Sequence, residues 1–449
     1  MELMTATEDL SWYTNPGARA WQTTQLGGDA HTFHRGLPGY LPTPFVEISS
    51  LADELNVSKV FVKDESSRLG LPAFKILGAS YAISRALSRR FGYADEALPL
   101  RELRDRLVDE SVRLVAATDG NHGRAVAHVA RDLGLPARIF YPASLTVAAK
   151  DAIAEEGAET VEMDTSYDEL VAAASESAQS EGSGAVLIQD TAWPGYEEVP
   201  RWIVEGYSTL FAEADEQLLA VGIDRIDMVV VPVGVGSLAQ AAVRHYRSNP
   251  HPPVILTVEA ERAPALVASL HAGRSVSVPT TDTIMAGLNC GTPSAVAWPS
   301  LLAGVDAAVT VSEDESVAGV GRFAELGVDA GPCGAATLAG ARRVLIDPVR
   351  RAQTLVPSDA VVLLFSTEGS AANPLPAPIV TVGVVPRDHL GWCRDSNCRT
   401  SGTGASRTTP HRGCTMLTLR DGSVLVLTDR INHPAEVLIV GIYQDPAGP

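Results

Sequence analysis

The chain has 449 residues, 45% of them hydrophobic and 20% charged, and a formal net charge of −19. That length exceeds what one small core organises and suits two closely packed domains, or one large α/β unit with an appendage. The acidic balance argues against nucleic acid or an anionic membrane as partner, since phosphates need a basic face; a local positive pocket for a small anion remains compatible with it.

From Met1 to about Trp21 the sequence is acidic and polar without an apolar core, so a signal peptide is not expected. No run approaches the roughly 20 apolar residues of a membrane span. The expected class is a cytoplasmic enzyme. Short β-rich runs then alternate with alanine-rich helical stretches. Val57 to Lys63 reads as a strand, Phe74 to Phe91 as an amphipathic helix, Arg113 to Thr118 as a strand and Arg124 to Leu133 as a helix. Strands follow at Arg138 to Tyr141 and Glu159 to Met163, with a helix at Val147 to Glu156 between them, and another strand at Ala185 to Ile188. Met228 to Val233, Val254 to Val258 and Val361 to Phe365 are apolar at nearly every position, as parallel strands covered on both faces must be. This rhythm predicts doubly wound α/β domains whose ligands sit beyond the carboxyl ends of the strands. It stops near Pro374: residues 373–378 read as a linker, and about Arg394 to Gly413 as loop. Met416 to Arg420, Asp421-Gly422 and Val424 to Thr428 read as a hairpin, with a third strand at Glu436 to Tyr443.

Cys290 and Cys333 stand alone and read as reduced small hydrophobes. Cys393, Cys398 and Cys414 cluster near His389 and His411, but the spacings match no standard zinc ligand pair, so no metal is expected.

Lysine occurs only at positions 59, 63, 75 and 150, against far more arginines, and Lys75 lies among apolar and small residues in Leu71-Pro72-Ala73-Phe74-Lys75-Ile76-Leu77-Gly78-Ala79-Ser80. A desolvated lysine can shed its proton and act as nucleophile or base, which arginine cannot. Alone, it reads as readily as a helix-start lysine with its head in water. Three loops after buried strands change that balance. Thr118-Asp119-Gly120-Asn121-His122-Gly123 packs polar groups and two glycines ahead of a helix N-terminus, a place for a carboxylate; the plainer reading makes Asp119 the helix cap. Gly234-Val235-Gly236-Ser237 precedes a helix and suits one phosphate, since the dinucleotide and triphosphate signatures are absent. Ser366-Thr367-Glu368-Gly369 ends a strand with hydroxyls fit for a heterocyclic nitrogen or a helix cap. In Gln189-Asp190-Thr191-Ala192-Trp193 the acid reads as easily as a turn residue as a catalytic one. An amine, a phosphate cradle and a hydroxyl for a ring nitrogen together describe pyridoxal 5′-phosphate.

On these motifs the chain resembles the tryptophan-synthase-like, fold type II, pyridoxal-phosphate enzymes over about residues 10–375. Within that family it is similar to the diaminopropionate ammonia-lyases, through the aspartate of Thr118-Asp119-Gly120-Asn121-His122-Gly123-Arg124, through Gln189-Asp190-Thr191-Ala192-Trp193-Pro194-Gly195-Tyr196 and through Thr283-Ile284-Met285-Ala286-Gly287-Leu288-Asn289-Cys290-Gly291. The resemblance implies a lyase body at 1–375, with a small domain inserted at about 78–195; the extension at 376–449 reads from its own residues as a small β module or a partly disordered appendage. It implies Lys75 as the cofactor's amine partner with Phe74 beside it, Asn121 on the ring hydroxyl, Gly234, Val235, Gly236 and Ser237 on the phosphate, and Ser366 with Thr367 at the pyridine nitrogen. Thr118, Asp119, Gly120, His122, Asp190, Met285, Ala286 and Gly287 would meet the substrate. Lys75, Asp119 and Asp190 would be catalytic, Asp119 facing the departing β-amine and serving as base for the D-enantiomer. The implied reaction is β-elimination of ammonia from 2,3-diaminopropionate to give pyruvate, in a homodimer. The competing readings are a serine/threonine dehydratase or β-replacement enzyme, and a non-catalytic binding or regulatory protein that keeps the fold. Ser67 and Pro72 depart from the family pattern, and the tail beyond about Pro378 lies outside it.

Overall fold

The computed structural model describes residues 10–375 without a break, together with strands at 380–382, 407–408, 414–418, 424–428 and 438–443. Its contacts divide the chain into two units, 1–375 and 376–449. In the first unit the strands are β1 (Trp12–Thr14), β2 (Phe45–Glu47), β3 (Lys59–Asp64), β4 (Arg113–Ala117), β5 (Ala137–Pro142), β6 (Glu159–Met163), β7 (Ala185–Leu187), β8 (Met228–Pro232), β9 (Val254–Ala260), β10 (Ala307–Val311) and β11 (Val361–Ser366). Seven of them form a sheet in the order β1-β10-β9-β8-β11-β3-β2. Its five inner strands are parallel, and β1 and β2 close the edges antiparallel. The other four make an all-parallel sheet, β6-β5-β4-β7.

The uninterrupted apolar runs follow from burial on both faces of the larger sheet. Along β8, Val229 and Val231 point into a core shared with the helices Lys75–Arg90, Glu198–Ala220 and Ser237–Tyr246. Met228 and Val230 point into a second core under the helix Pro332–Leu345. A strand alternates its side chains, so two apolar layers require apolar residues at every position. The smaller sheet repeats the arrangement: Leu114 and Ala116 of β4 face the helix Asn121–Leu133, whereas Val115 and Ala117 face the helix Tyr167–Glu181.

The predicted elements of this unit are present, with shifted ends. The largest shift is at the helix expected from Arg124, which begins at Asn121. The hydroxyl of Thr118 accepts the N–H groups of Gly120 and Gly123 at 2.9 and 2.8 Å; the second is one of the first-turn donors without an intrahelical acceptor, and the bond helps the chain become helical there. Gly120 makes the entry possible with φ +134°, a backbone conformation side chains resist.

In the second unit, β12 (Val380–Val382), β13 (Arg407–Thr408), β14 (Cys414–Thr418), β15 (Val424–Thr428) and β16 (Leu438–Tyr443) form a sheet in the order β12-β16-β15-β14-β13. β14 and β15 pair antiparallel from Cys414 opposite Thr428 to Thr418 opposite Val424, the arms of the expected hairpin, with β16 pairing antiparallel beside β15. The Asp421-Gly422 turn, most of the 394–413 loop and the residues His389, Cys393, Cys398 and His411 lie outside the described residues.

Candidate active site

The carboxyl ends of β4, β7, β8 and β11 open onto one cavity, and the first turns of the helices Lys75–Arg90 and Asn121–Leu133 enter it. Of the residues singled out from sequence, Phe74, Lys75, Asp119, Asn121, Asp190, Gly234, Val235, Gly236, Ser237, Gly287 and Thr367 line this cavity. Thr118, Gly120, His122, Met285, Ala286 and Ser366 do not line it. Thr118 is fully buried, bracing its turn as described. His122 is 1% exposed and sits behind the cavity wall. Met285 is buried in the core beneath the larger sheet, and Ala286 opens the short 3-10 turn that carries Gly287.

The loop after β8 is shaped as an anion cradle. A methyl group on Gly234 would fall 2.5 Å from the carbonyl oxygen of Gly287, so only glycine permits this approach. Gly236 takes φ +95° and leads into the helix Ser237–Tyr246, whose first-turn N–H groups have no intrahelical acceptor and favour an anion. The Ser237 hydroxyl donates to the carbonyl oxygen of Asp190 at 2.6 Å, tying this loop to the end of β7.

Charge is concentrated on the opposite wall. Lys75 Nζ lies 2.5 Å from Asp190 Oδ2 and 5.5 Å from the centre of the Phe74 ring. Burial opposes the Lys75 charge, but Asp190, Tyr207 and Asp119 outweigh it and hold the ammonium well above the ordinary lysine range. Burial likewise opposes ionisation of Asp190, yet Lys75, His122 and Tyr167 bring its carboxyl down to about 2. Asp119 goes the other way: burial, reinforced by the Asp190 charge and only partly offset by Lys75, pushes it up to about 6. One lysine therefore faces two carboxylates, one firmly ionised and one poised near neutrality.

At the end of β11 the Ser366 hydroxyl is fully buried and has no hydrogen-bond partner. Asn121 Nδ2 donates to Glu368 Oε2 at 2.5 Å, and Glu368 also accepts the N–H of Cys333 at 3.1 Å. Burial raises the Glu368 carboxyl.

Several further residues of the site have no role assigned from the sequence. Tyr167, the first residue of its helix, donates to Asp190 Oδ1 at 3.4 Å and receives Gln189 Nε2 at 2.9 Å. Tyr207 is fully buried with its ring 4.8 Å from that of Phe74 and its hydroxyl unpartnered. Cys290 and Cys333 are buried, as their isolation suggests, but they line the cavity, where burial pushes both thiols well up and keeps them neutral.

The orphaned Ser366 hydroxyl and the glycine loop that turns into the helix start at Ser237 on the cavity wall suit pyridoxal phosphate: an acceptor or donor for its ring nitrogen, free N–H groups for its phosphate, and Lys75 for its aldehyde. Comparison with known proteins agrees. The family model for pyridoxal-phosphate dependent enzymes matches residues 37–367. Diaminopropionate ammonia-lyase of Escherichia coli (strain K12) is 37% identical over 355 residues, covering 76% of this chain and 87% of its own length. A crystal structure of the Escherichia coli diaminopropionate ammonia-lyase in complex with D-serine superposes with a TM-score of 0.69 at 33% identity, covering 82% of this chain and 91% of that one. A biosynthetic L-threonine dehydratase of Mycobacterium leprae (strain TN) is 29% identical over 251 residues, covering 54% of this chain and 56% of its own.

Proposed function

Because the chain belongs to the pyridoxal-phosphate dependent enzymes, we propose that it removes ammonia from 2,3-diaminopropionate by β-elimination, leaving pyruvate and a second ammonia. The observation that carries the substrate is the pair Asp119 and Asp190 facing the single cation Lys75 in a water-poor cavity. A substrate bearing a second ammonium restores the charge balance there, and Coulomb attraction is stronger than in bulk water. A hydroxyl-bearing substrate such as serine gains nothing from the second carboxylate.

When bound, the cofactor supplies an aldehyde for amines and a ring that stabilises negative charge at the carbon next to the captured nitrogen. In this reading Lys75 would hold the aldehyde, Gly234 to Ser237 would hold the phosphate, Ser366 with Thr367 would meet the ring nitrogen, and Asn121 would serve the ring hydroxyl. The protein's own groups then handle protons and position. Lys75 Nζ passes a proton to and from Asp190 Oδ2 along their 2.5 Å contact and, once free, takes the substrate's Cα proton. Asp119, near pKa 6, holds the β-ammonium as a carboxylate and can exchange a proton with it near neutral pH. The helix N-terminus at Asn121 offers N–H groups to the substrate carboxylate.

Among the described residues no helix is long and apolar enough to cross a membrane. We take the working form to be a cytoplasmic homodimer, which sedimentation of the purified protein tests. The decisive assay measures pyruvate from 2,3-diaminopropionate and from serine side by side. The diamine is expected to be strongly preferred, and equal rates would return the protein to the dehydratase reading.

A further inference from the structure

Asp190 is met by hydrogen-bond donors on every side but one. Lys75 reaches Oδ2 at 2.5 Å, and Tyr167 and Gln189 reach Oδ1 at 3.4 and 3.5 Å. The remaining neighbour is His122, whose Nδ1 lies 4.0 Å from Oδ2, the oxygen that Lys75 occupies. Its other nitrogen, Nε2, is 2.8 Å from the carbonyl oxygen of Ile188. A carbonyl only accepts, so Nε2 carries the hydrogen. Burial lowers the His122 pKa and leaves the ring neutral, which puts a bare lone pair on Nδ1. Among the described residues that atom has no hydrogen-bond partner.

Two acceptors therefore face each other across 4.0 Å in a buried site, an arrangement without benefit until a proton lies between them. In the cofactor-free site Asp190 is ionised beside the Lys75 ammonium, but an amine must be neutral to attack an aldehyde, and Asp190, 2.5 Å away, is the acceptor placed to take the proton it gives up. Displacing water from the cavity raises the cost of keeping Lys75 and Asp190 as separate charges and favours the neutral pair. Resting on the reading of Lys75 as the cofactor's amine partner, we propose that His122 is a positioning residue that accepts the hydrogen bond of protonated Asp190. In this step the Nζ–H bond of Lys75 breaks and an O–H bond forms on Asp190; +1 and −1 become two neutral groups. A small rotation of the carboxyl turns its O–H toward Nδ1. The proton is thereby held away from the Lys75 amine while that amine attacks an aldehyde. The charged or titratable groups facing this pair are Lys75, Asp119, Tyr167, Tyr207 and Cys290, and of these only Lys75 brings a positive charge.

The test uses cofactor-stripped full-length protein and follows capture of added pyridoxal phosphate by borohydride trapping and mass measurement between pH 6 and 9. His122→Gln keeps an amide near Nε2 for the Ile188 carbonyl but leaves nothing at Nδ1. It should slow capture at pH 7 about tenfold and move the midpoint of the pH–rate curve up by about one unit, the equivalence of a tenfold shift in proton affinity. His122→Asn places its amide oxygen near Nδ1 and should recover most of that loss. Superposed curves for His122→Gln and wild type, or equal losses in both variants, would overturn the proposal. In wild-type protein the His122 ring nitrogens give an independent reading by 15N resonance: Nε2 should stay protonated throughout, with Nδ1 changing from bare to hydrogen-bonded on cofactor capture. An Nδ1–H or doubly protonated ring would overturn it without any variant. Lys75→Ala separates the two levels. Capture at the same site persisting there sinks the Lys75 reading itself, whereas capture lost there but unaffected by His122→Gln sinks only the role of His122.

Discussion

The group of Lys75, Asp119 and Asp190 and the cluster of Lys63, Glu65, Arg68 and Glu213 both keep charges out of water, and their nearest members in sequence, Arg68 and Lys75, stand only seven positions apart. In the cluster two cations meet two anions, all within 1% of full burial. Lys63 spends its three donors on Thr43 O, Glu213 and Gln217 at 2.8–3.0 Å. Arg68 forks onto Glu65 and Glu213, and Tyr40 and Thr43 fill remaining acceptor positions. In the cavity one cation meets two anions, and in the buried layer around it hydroxyl and imidazole atoms of Ser366, Tyr207 and His122 have no hydrogen-bond partner. A charge group that is matched and saturated can only hold the fold together. One that is unmatched and unsaturated keeps valences for something that arrives.

Replacing each group's central cation or anion should break the comparison most sharply. Lys75→Ala should abolish both the borohydride-trapped cofactor adduct and turnover, since no other group of the cavity offers an amine. The purified wild-type protein should be yellow, absorbing at ~410–420 nm from its lysine-bound cofactor, and the variant should lose that band. Retained turnover in Lys75→Ala would refute the assignment. Glu213→Leu should do the reverse, costing about 3–5 kcal/mol of stability because Lys63 and Arg68 are left buried and undercompensated. Urea unfolding reads that loss directly, and a cost below about 1 kcal/mol, the level of a surface pair, would mean that water reaches the cluster.

Asp119→Asn comes next. It preserves shape and removes the group proposed to hold and protonate the β-amine, so turnover of 2,3-diaminopropionate should fall at least ~10²-fold. Folding stability should hardly drop. Unchanged turnover would take Asp119 out of the mechanism.

What was legible in the sequence tracks how local each feature is. The cradle at Gly234–Ser237, the Thr118–Gly123 turn and the strand-end hydroxyls announce themselves because a sharp turn beyond a buried strand needs particular residue types at adjacent positions. The division of labour inside those loops is not local. The Thr118 hydroxyl, and not Asp119, takes the Gly123 N–H at the helix start, leaving the carboxylate free to face the cavity; sequence left Asp119 open as cap or ligand. Asn121 binds Glu368, 247 positions away, and Ser237 binds the Asp190 carbonyl, 47 positions away. Tyr167, Tyr207 and Cys333 arrive from helices in which no functional motif is read, and Cys290 sits in a motif in which it reads only as a small hydrophobe. The buried cluster was invisible for the same reason: Lys63 and Arg68 are near neighbours, but their partner Glu213 lies on a helix some 150 residues later.

The smallest effect separates the two groups by the sign of their pH dependence. In cofactor-free protein Asp119 has a folded pKa of about 6 against an ordinary 3.8. Between those values the folded state binds more protons than the unfolded state, so stability falls as pH rises from about 4 to 6. Glu213 is held at about 2 against an ordinary 4.5, because the Arg68 and Lys63 charges outweigh the cost of its burial. There the unfolded state binds more protons, so its contribution is present above about 4.5 and lost as pH falls toward 2. Urea titrations of wild type and Asp119→Asn at pH 4, 5, 6 and 7 isolate the first term. The variant's stability relative to wild type should rise across pH 4–6 by up to about 2 kcal/mol, as a shift of that size permits, and then level off. Glu213→Gln should show the opposite trend: the wild-type advantage shrinks as pH drops below about 4.5. If both variants changed in the same direction over their windows, the cavity carboxylate would be as fully compensated as the cluster's, and the distinction between a saturated and an unsaturated charge group would fail.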